Sequence, residues 1–513
     1  MANLIERHAQ QIVGVLSCFD RLVLQGTLPS VAYPQAVATE LDRRDIRLFD
    51  YAKQFALPFR EAIRAHTERL AAEEGVEIEY IQRMKSFRKE DRIQQILAER
   101  GNHPGLVHIF SAMEPCPTYE PWHDKKTGCT FIRRDRGKCL HYYFYFIDEM
   151  LGLCFLAVPT WCPFRALFYL NGHNWLASKL RSANISYELQ DNAFAAIEDW
   201  EKAQQLSDRL MVKQLHTRLD AAVARYLPDL ESLGRYHWSI LQAEYATDIV
   251  FRSAEDLAPL YAHQLRTAIH AVKVDDVATF LGHSPQRIGE RETGGDFSIR
   301  RHGLRLEGTR VRHYLGPASI KMYDKHGFTL RVETTTNDVT FFRHHRMVEQ
   351  RDGQRVFKLA ALRKSIYSLS PDLASISRAA NDRYIQFLSS IDDPTPGIKA
   401  LSKISEPVEE REHRYRGFNL FDDDDQSLFE ILCRGEFLIH GFRNRSLRQH
   451  LKQFRPSQIS RLLKRLRLHG IIKKVGNTYK YYLTQLGRHV AIAGLTLKNL
   501  FLVPELATAA LAY

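Results

Sequence analysis

Several absences narrow what this chain does before any motif is considered. No apolar run approaches the roughly 18 residues a membrane-spanning helix needs, and the start, Met1-Ala2-Asn3-Leu4-Ile5-Glu6-Arg7, lacks the basic-then-apolar layout of a secretory signal. A cytoplasmic protein with no membrane partner is expected. The cysteines (Cys18, Cys116, Cys129, Cys139, Cys154, Cys162 and Cys433) are odd in number and include no Cys-x-x-Cys pair, which fits reduced thiols rather than a disulfide framework. There is no Walker A loop, no Gly-x-Gly-x-x-Gly fingerprint and no internal repeat, so ATP- and NAD-dependent readings have no support. The most informative absence is of acid: between Glu436 and Glu505 there is no Asp or Glu, while Lys and Arg number fourteen. With a net charge of +12, the rest of the chain sums to 12 − 14 = −2. Solvated faces normally mix signs, so this one-signed stretch points to a polyanion attracted through its phosphates.

The local pattern in that stretch predicts a fold. Asp425 stands where it caps a helix carrying Leu428, Phe429, Ile431 and Leu432, stopped by Gly435. Ser446 and Gln449 make a capping box for a second short helix. Pro456 opens a third, with Ile459, Leu462, Leu463 and Leu466 on one face and Gly470 at its end. Ile471 to Val475 and Thr478 to Leu483 then flank Gly476-Asn477, a hairpin turn. Three helices followed by a basic hairpin is the order of a winged helix-turn-helix. It places Arg455, Ser457, Gln458, Ser460, Arg461, Lys464 and Arg465 on the recognition helix facing double-stranded DNA. Lys473, Lys474, Asn477 and Lys480 on the wing would meet phosphates or the minor groove. The run Ser457-Gln458-Ile459-Ser460-Arg461-Leu462-Leu463, followed by His469-Gly470-Ile471-Ile472, resembles MarR-like winged helices.

In front of this domain, residues 392–424 read as a linker, opening Asp392-Asp393-Pro394-Thr395-Pro396-Gly397 and ending on Asp422 to Asp425. The stretch before it, 226–391, is β-rich. Tyr236 to Asp248 alternates faces as a strand, with Gln242 and Glu244 on one side and Asp248 at or beyond its end. After a helical segment, Ala318 to Tyr323 and Phe328 to Thr335 read as short strands. Lys321 shares a face with Tyr323, and Arg331 with Glu333.

Glu244 and Asp248, then Gly316-Pro317-Ala318-Ser319-Ile320-Lys321-Met322-Tyr323-Asp324-Lys325, then Leu330-Arg331-Val332-Glu333 resemble the replication initiators of small rolling-circle plasmids and related phages, over about residues 236–337. The chain carries Glu244 where such initiators commonly carry Asp, and it has no evident His-hydrophobe-His motif. The resemblance implies Tyr323 as a nucleophile on a DNA phosphodiester. It implies Mg²⁺ or Mn²⁺ on Glu244, Asp248 and Glu333, and Lys325 and Arg331 offsetting charge as the bond breaks.

Residues 1–225 predict a mixed α/β region. Val13 to Leu24 is a strand or hairpin with Asp20 near its middle. A strand-borne Asp is the residue type that binds metal in ribonuclease-H-type nucleases, but a lone Asp is more often a turn or salt-bridge residue. Cys116, His123, Cys129, Cys139 and His141 match no ordinary zinc spacing, so zinc is not expected. Aromatics from Tyr142 to Trp175 beside Arg133, Arg134, Arg136 and Lys138 suit single-stranded nucleic acid, although a packed core is the stronger reading of them. The sequence thus predicts an α+β multidomain protein: mixed α/β, initiator-like, linker, winged helix. Two functions fit it. One is a metal-dependent DNA nicking and joining enzyme of a mobile element or replicon; the other is a non-enzymatic regulator with a large sensor or oligomerisation body. Either is compatible with a homo-oligomer.

Overall fold

The computed structural model describes residues 4–82, 87–284, 293–302, 305–350, 353–392, 395–434, 436–437, 441–476, 478–503 and 506–507. It is an α+β protein of two compact units, residues 1–391 and 392–513. No helix among the described residues is long and apolar enough to cross a membrane.

The first unit is organised by one mixed sheet of eleven strands in the order β10-β11-β12-β13-β9-β1-β6-β5-β4-β3-β2. The strands are β1 (Ile12–Thr27), β2 (Ile78–Tyr80), β3 (Gly105–Asp124), β4 (Cys129–Asp148), β5 (Gly152–Pro159) and β6 (Ala166–Asn171). They continue, after a small hairpin of β7 (Tyr187–Gln190) and β8 (Ala193–Ile197), with β9 (His237–Phe251), β10 (Thr293–His302), β11 (Arg305–Leu315), β12 (Ala318–Lys325) and β13 (Thr329–Thr336). Among the described residues only β2 and β3 pair in parallel. The sheet crosses the expected boundary at 225/226, because β1 lies between β6 and β9 and hydrogen-bonds to both. A long apolar strand such as Val13 to Leu24 needs both edges paired, and its partners come from both sides of that boundary.

Around the middle of the sheet the two faces differ sharply. One packs Ile249, Phe251, Ile320, Met322, Leu330 and Val332 into a hydrophobic core with Leu257, Tyr384 and Leu388 from two helices. The other face carries the polar residues of the same strands, covered by the helix Gly172–Ser182 and the β7–β8 hairpin. Every residue of β13 is buried, charged ones included. Gly172 lets the covering helix sit tight on β1, since a Cβ there would lie 2.1 Å from the Phe19 carbonyl oxygen. The aromatics Tyr142, Phe144, Phe164, Phe168 and Trp175 are buried in the main core. They are therefore closed to stacking with bases.

The second unit contains helices Asp423–Leu432, Asn444–His450 and Pro456–Leu468, then β18 (Ile472–Lys474), β19 (Tyr481–Leu483) and the helix Gln485–Thr496. The expected linker 392–424 is partly folded into it. It forms a helix, Thr395–Ser405, and a hairpin of β16 (Val408–Glu410) and β17 (His413–Tyr415), and it contributes Ile404 and Phe418 to the core around Phe429 and Leu466. These apolar side chains, with Arg465 donating to the Arg416 and Gly417 carbonyls and His469 within 2.8 and 3.1 Å of the Lys403 and Arg416 carbonyls, hold the segment against the unit.

Candidate active site

Strand register assembles the site from the polar face. Tyr323 of β12 lies opposite Arg331 of β13, and Lys321 opposite Glu333. Arg331 lies opposite Asp248 of β9, and Thr335 opposite Glu244. Between Phe19 and Leu22 the β1–β9 register shifts, and Asp20 occupies that irregularity. Bulges re-aim side chains, and here Asp20 is brought beside Glu244. Asp20, Glu244 and Glu333 thus form a trio in which one carboxylate oxygen from each lies within 4.8 Å of those from the other two.

The trio has an open side and a closed side. On the closed side Arg331 is fully buried and donates to both oxygens of Asp248, at 2.6 and 2.7 Å, and to the Asn192 carbonyl at 2.6 Å. Its Nη1 lies 3.4 Å from Asp20 Oδ2. The imidazole of His173 is wedged among them, with Nδ1 3.2 Å from Asp20 and Nε2 3.4 Å from Asp248. The amides of Asn171 and Asn192 donate to Asp20 Oδ1 at 3.1 and 2.6 Å. Burial alone would raise both aspartates, but Arg331 and His173 more than offset it: Asp248 falls to about 2 and Asp20 well below the usual carboxylate range.

On the open side Lys321 Nζ reaches Glu333 at 2.6 Å and Glu244 at 3.3 Å. Glu333 also accepts from Thr335 Oγ1 at 3.1 Å and, through Oε2, from the Tyr323 hydroxyl at 2.8 Å. Burial would raise Glu333, and Lys321 holds it below its ordinary value. Glu244, partly exposed, is pushed up to about 7 by burial and by the negative charge of Glu333. Tyr323 is half-buried, and burial together with Glu333 holds its phenol well above the ordinary value. Lys325, lowered to about 8 by burial and by Arg331, faces Asp191 at 3.9 Å.

Of the residues expected to bind metal, the structure brings Glu244 and Glu333 together but commits Asp248 to Arg331. Asp20 takes its place. Arg331 is correspondingly a buried partner of Asp248 rather than a free charge beside Tyr323. The donors fit a hard divalent ion: all are carboxylate oxygens, and one octahedron with bonds near 2.1 Å spans at most about 4.2 Å, so the 4.8 Å spread needs only a small closure.

In the second unit Arg455, Ser457, Gln458, Ser460 and Arg461 are exposed along the helix Pro456–Leu468, as are Lys473 and Lys474 on the hairpin, while Lys480 is partly covered. Gln458 closes back on the Arg455 amide and Ser460 on the Pro456 carbonyl. Arg465 departs from the expectation: it is buried, holds both oxygens of Asp425 at 2.9 and 3.0 Å and lies 3.7 Å over the Phe418 ring. Lys464 pairs with Glu410 at 2.6 Å. Asn477 lies outside the described residues. Tyr479, 79% exposed beside Lys474, is a further residue of the β18–β19 hairpin that charge alone does not single out.

No family model matches this chain, and no curated protein does. Among solved structures, a rolling circle replication initiator protein from Geobacillus stearothermophilus aligns over 63% of this chain and 75% of its own, at 11% identity and a TM-score of 0.19. At that score the two backbones do not superpose as one fold, and the site stands on its own geometry.

Proposed function

We propose that this protein nicks and rejoins DNA, using Tyr323 as nucleophile and a Mg²⁺ or Mn²⁺ ion held by Asp20, Glu244 and Glu333. The observation that carries this reading is the Tyr323 hydroxyl donating to Glu333 at 2.8 Å inside the carboxylate trio. A bound ion would polarise the phosphate and neutralise the charge that holds the phenol protonated. Glu333 Oε2 is placed to take the phenolic proton as the new oxygen–phosphorus bond forms. The old bond to the 3′ oxygen then breaks, that oxygen takes up a proton, and the 5′ phosphate remains on the tyrosine for rejoining. Lys321 and Lys325 supply positive charge on the same strand face.

The unit 392–513 serves this chemistry as a winged-helix DNA-holding module of a replicon or mobile element. Its exposed Arg461, Lys473 and Lys474 support that role, as does the absence of acid from Arg443 to Lys498. Incubation with Mn²⁺ and single-stranded or supercoiled DNA containing a cognate site should leave a 5′-phosphotyrosyl adduct that survives denaturation. Tyr323→Phe should abolish it and leave duplex binding unchanged. Cleavage by the Phe variant would instead assign the trio to hydrolysis by water.

A further inference from the structure

Downstream of β13, strands β14 (Arg343–Glu349) and β15 (Arg355–Ala361) form a two-stranded ribbon that, among the described residues, pairs only with itself. Their register sets His345 opposite Leu359, Met347 opposite Phe357, and at the two ends Arg343 opposite Ala361 and Glu349 opposite Arg355. Alternation puts these residues on one face. That face is largely uncovered: Phe357 is 64% exposed, Met347 49% and Leu359 45%. The His345 ring lies 5.6 Å from Phe357 at 30°, extending the flat surface. Arg343 and Arg355 bound the strip, and the two strands carry Arg343, Arg346, Arg355 and Lys358 against the one acid Glu349.

An apolar strip left open to water marks an interaction surface, and the charge around it chooses the partner. A second copy of the ribbon would bring like charges together. Single-stranded nucleic acid satisfies both features, since bases stack on rings while phosphates meet arginine. Leu362 donating to the Phe342 carbonyl at 2.9 Å closes the base of the ribbon, and Ile240 of β9 donating to the Lys364 carbonyl at 2.7 Å ties that base to the large sheet. Ser239, bridged to Ser365, is five residues before Glu244, or about 17 Å along β9.

The geometry points to the β14–β15 ribbon as a binding arm for single-stranded DNA, with bases on Phe357 and His345 and phosphates on Arg343 and Arg355. This goes beyond the nicking reading and stands without it, because binding needs neither metal nor Tyr323.

The test is fluorescence anisotropy of the full chain with a labelled twenty-nucleotide oligo-dT and, in parallel, a twenty-base-pair duplex. Phe357→Ala should weaken oligo-dT binding by about 5- to 150-fold, and Phe357→Trp should retain it. Arg343→Ala and Arg355→Ala should each reduce the salt slope by about 0.7. Duplex affinity, melting temperature and Mn²⁺ binding should not change, since Phe357 is 64% exposed and is not part of the trio. Tyr323→Phe should bind oligo-dT as the natural protein does, which separates failure of this arm from failure of the chemistry. Equal oligo-dT affinity for Phe357→Ala and the natural protein would overturn the proposal. A dimer that Phe357→Ala dissociates in sedimentation would overturn it too, and give the strip to a second copy.

Discussion

The two sides of the polar network on β9, β12 and β13 use the same kinds of residue to opposite ends. On the closed side, Asp248 is matched by Arg331 and His173, while Asp20, which also belongs to the trio, takes the Asn171 and Asn192 amides on Oδ1 and has Oδ2 3.4 Å from Arg331. On the open side, Glu244 and Glu333 share a single lysine, and burial together with the charge of Glu333 pushes the Glu244 carboxyl up to about 7. A buried, balanced cluster fixes geometry; an unbalanced, half-open one has charge left to bind something. On the function proposed above, the difference gives Asp248 a structural role and Glu244 a place in the metal site, although both sit on one face of one strand.

The most severe way to break that comparison is to remove a partner on the closed side. Asp248→Ala leaves the Arg331 guanidinium buried without its carboxylate, which should cost about 3–5 kcal/mol, read as a shifted urea midpoint. Asp248→Leu combined with Arg331→Met should recover most of the loss. A single Asp248→Ala variant within about 1 kcal/mol of the natural protein would show that the closed side is not structural, and would return Asp248 to the list of metal ligands. Gly172→Ala should come next. Its Cβ meets the Phe19 carbonyl oxygen at 2.1 Å, so the covering helix must lift off β1, at about 1–3 kcal/mol. Because His173 and Asn171 move with it, Mn²⁺ affinity should fall as well, whereas overpacking elsewhere in the core would leave it unchanged.

Part of this site was legible in the sequence and part was not. Strand alternation placed Lys321 with Tyr323 and Arg331 with Glu333, because a period of two survives in any strand whatever pairs with it. Which acids meet across strands depends on register, and the Asp20–Glu244 encounter joins residues more than two hundred positions apart through a local irregularity in β1. Asp20 stood out as a lone acid in an apolar run, yet nothing local pointed to its partners. The alternating pattern puts Asp248 at or beyond the end of its strand, but Ile249, Val250 and Phe251 carry β9 onward, which sets Asp248 opposite Arg331. His173 left no signal at all. In the second unit the apolar stripe of Ile459, Leu463 and Leu466 is buried as its spacing predicts, but the stripe is wider than expected: three residues past Leu462, Arg465 falls on the apolar side, where Asp425 receives it.

The smallest effect on stability, and the sharpest test of the open side, should come from Glu244→Gln. At pH 6 the carboxyl is mostly protonated, because its folded-state pKa of about 7 lies above the ordinary 4.5. The amide is then nearly isosteric and stability should change by no more than about 0.5 kcal/mol. The pH dependence follows from which state holds the proton. Between the ordinary value and about 7 the folded protein keeps a proton that the unfolded chain has lost, so Glu244 makes stability fall as pH rises through that window and level off above it. Glu244→Gln should remove that slope. A bound divalent ion must displace the same proton, so Mn²⁺ affinity of the natural protein should rise up to about tenfold per pH unit below 7 and flatten above it. Calorimetry in buffers of different ionisation enthalpy should count close to one proton released at pH 6 and few at pH 8. In Glu244→Gln the release should vanish and binding weaken at every pH. A variant that still releases a proton at pH 6 would place the titrating ligand elsewhere and dissolve the contrast between the two sides.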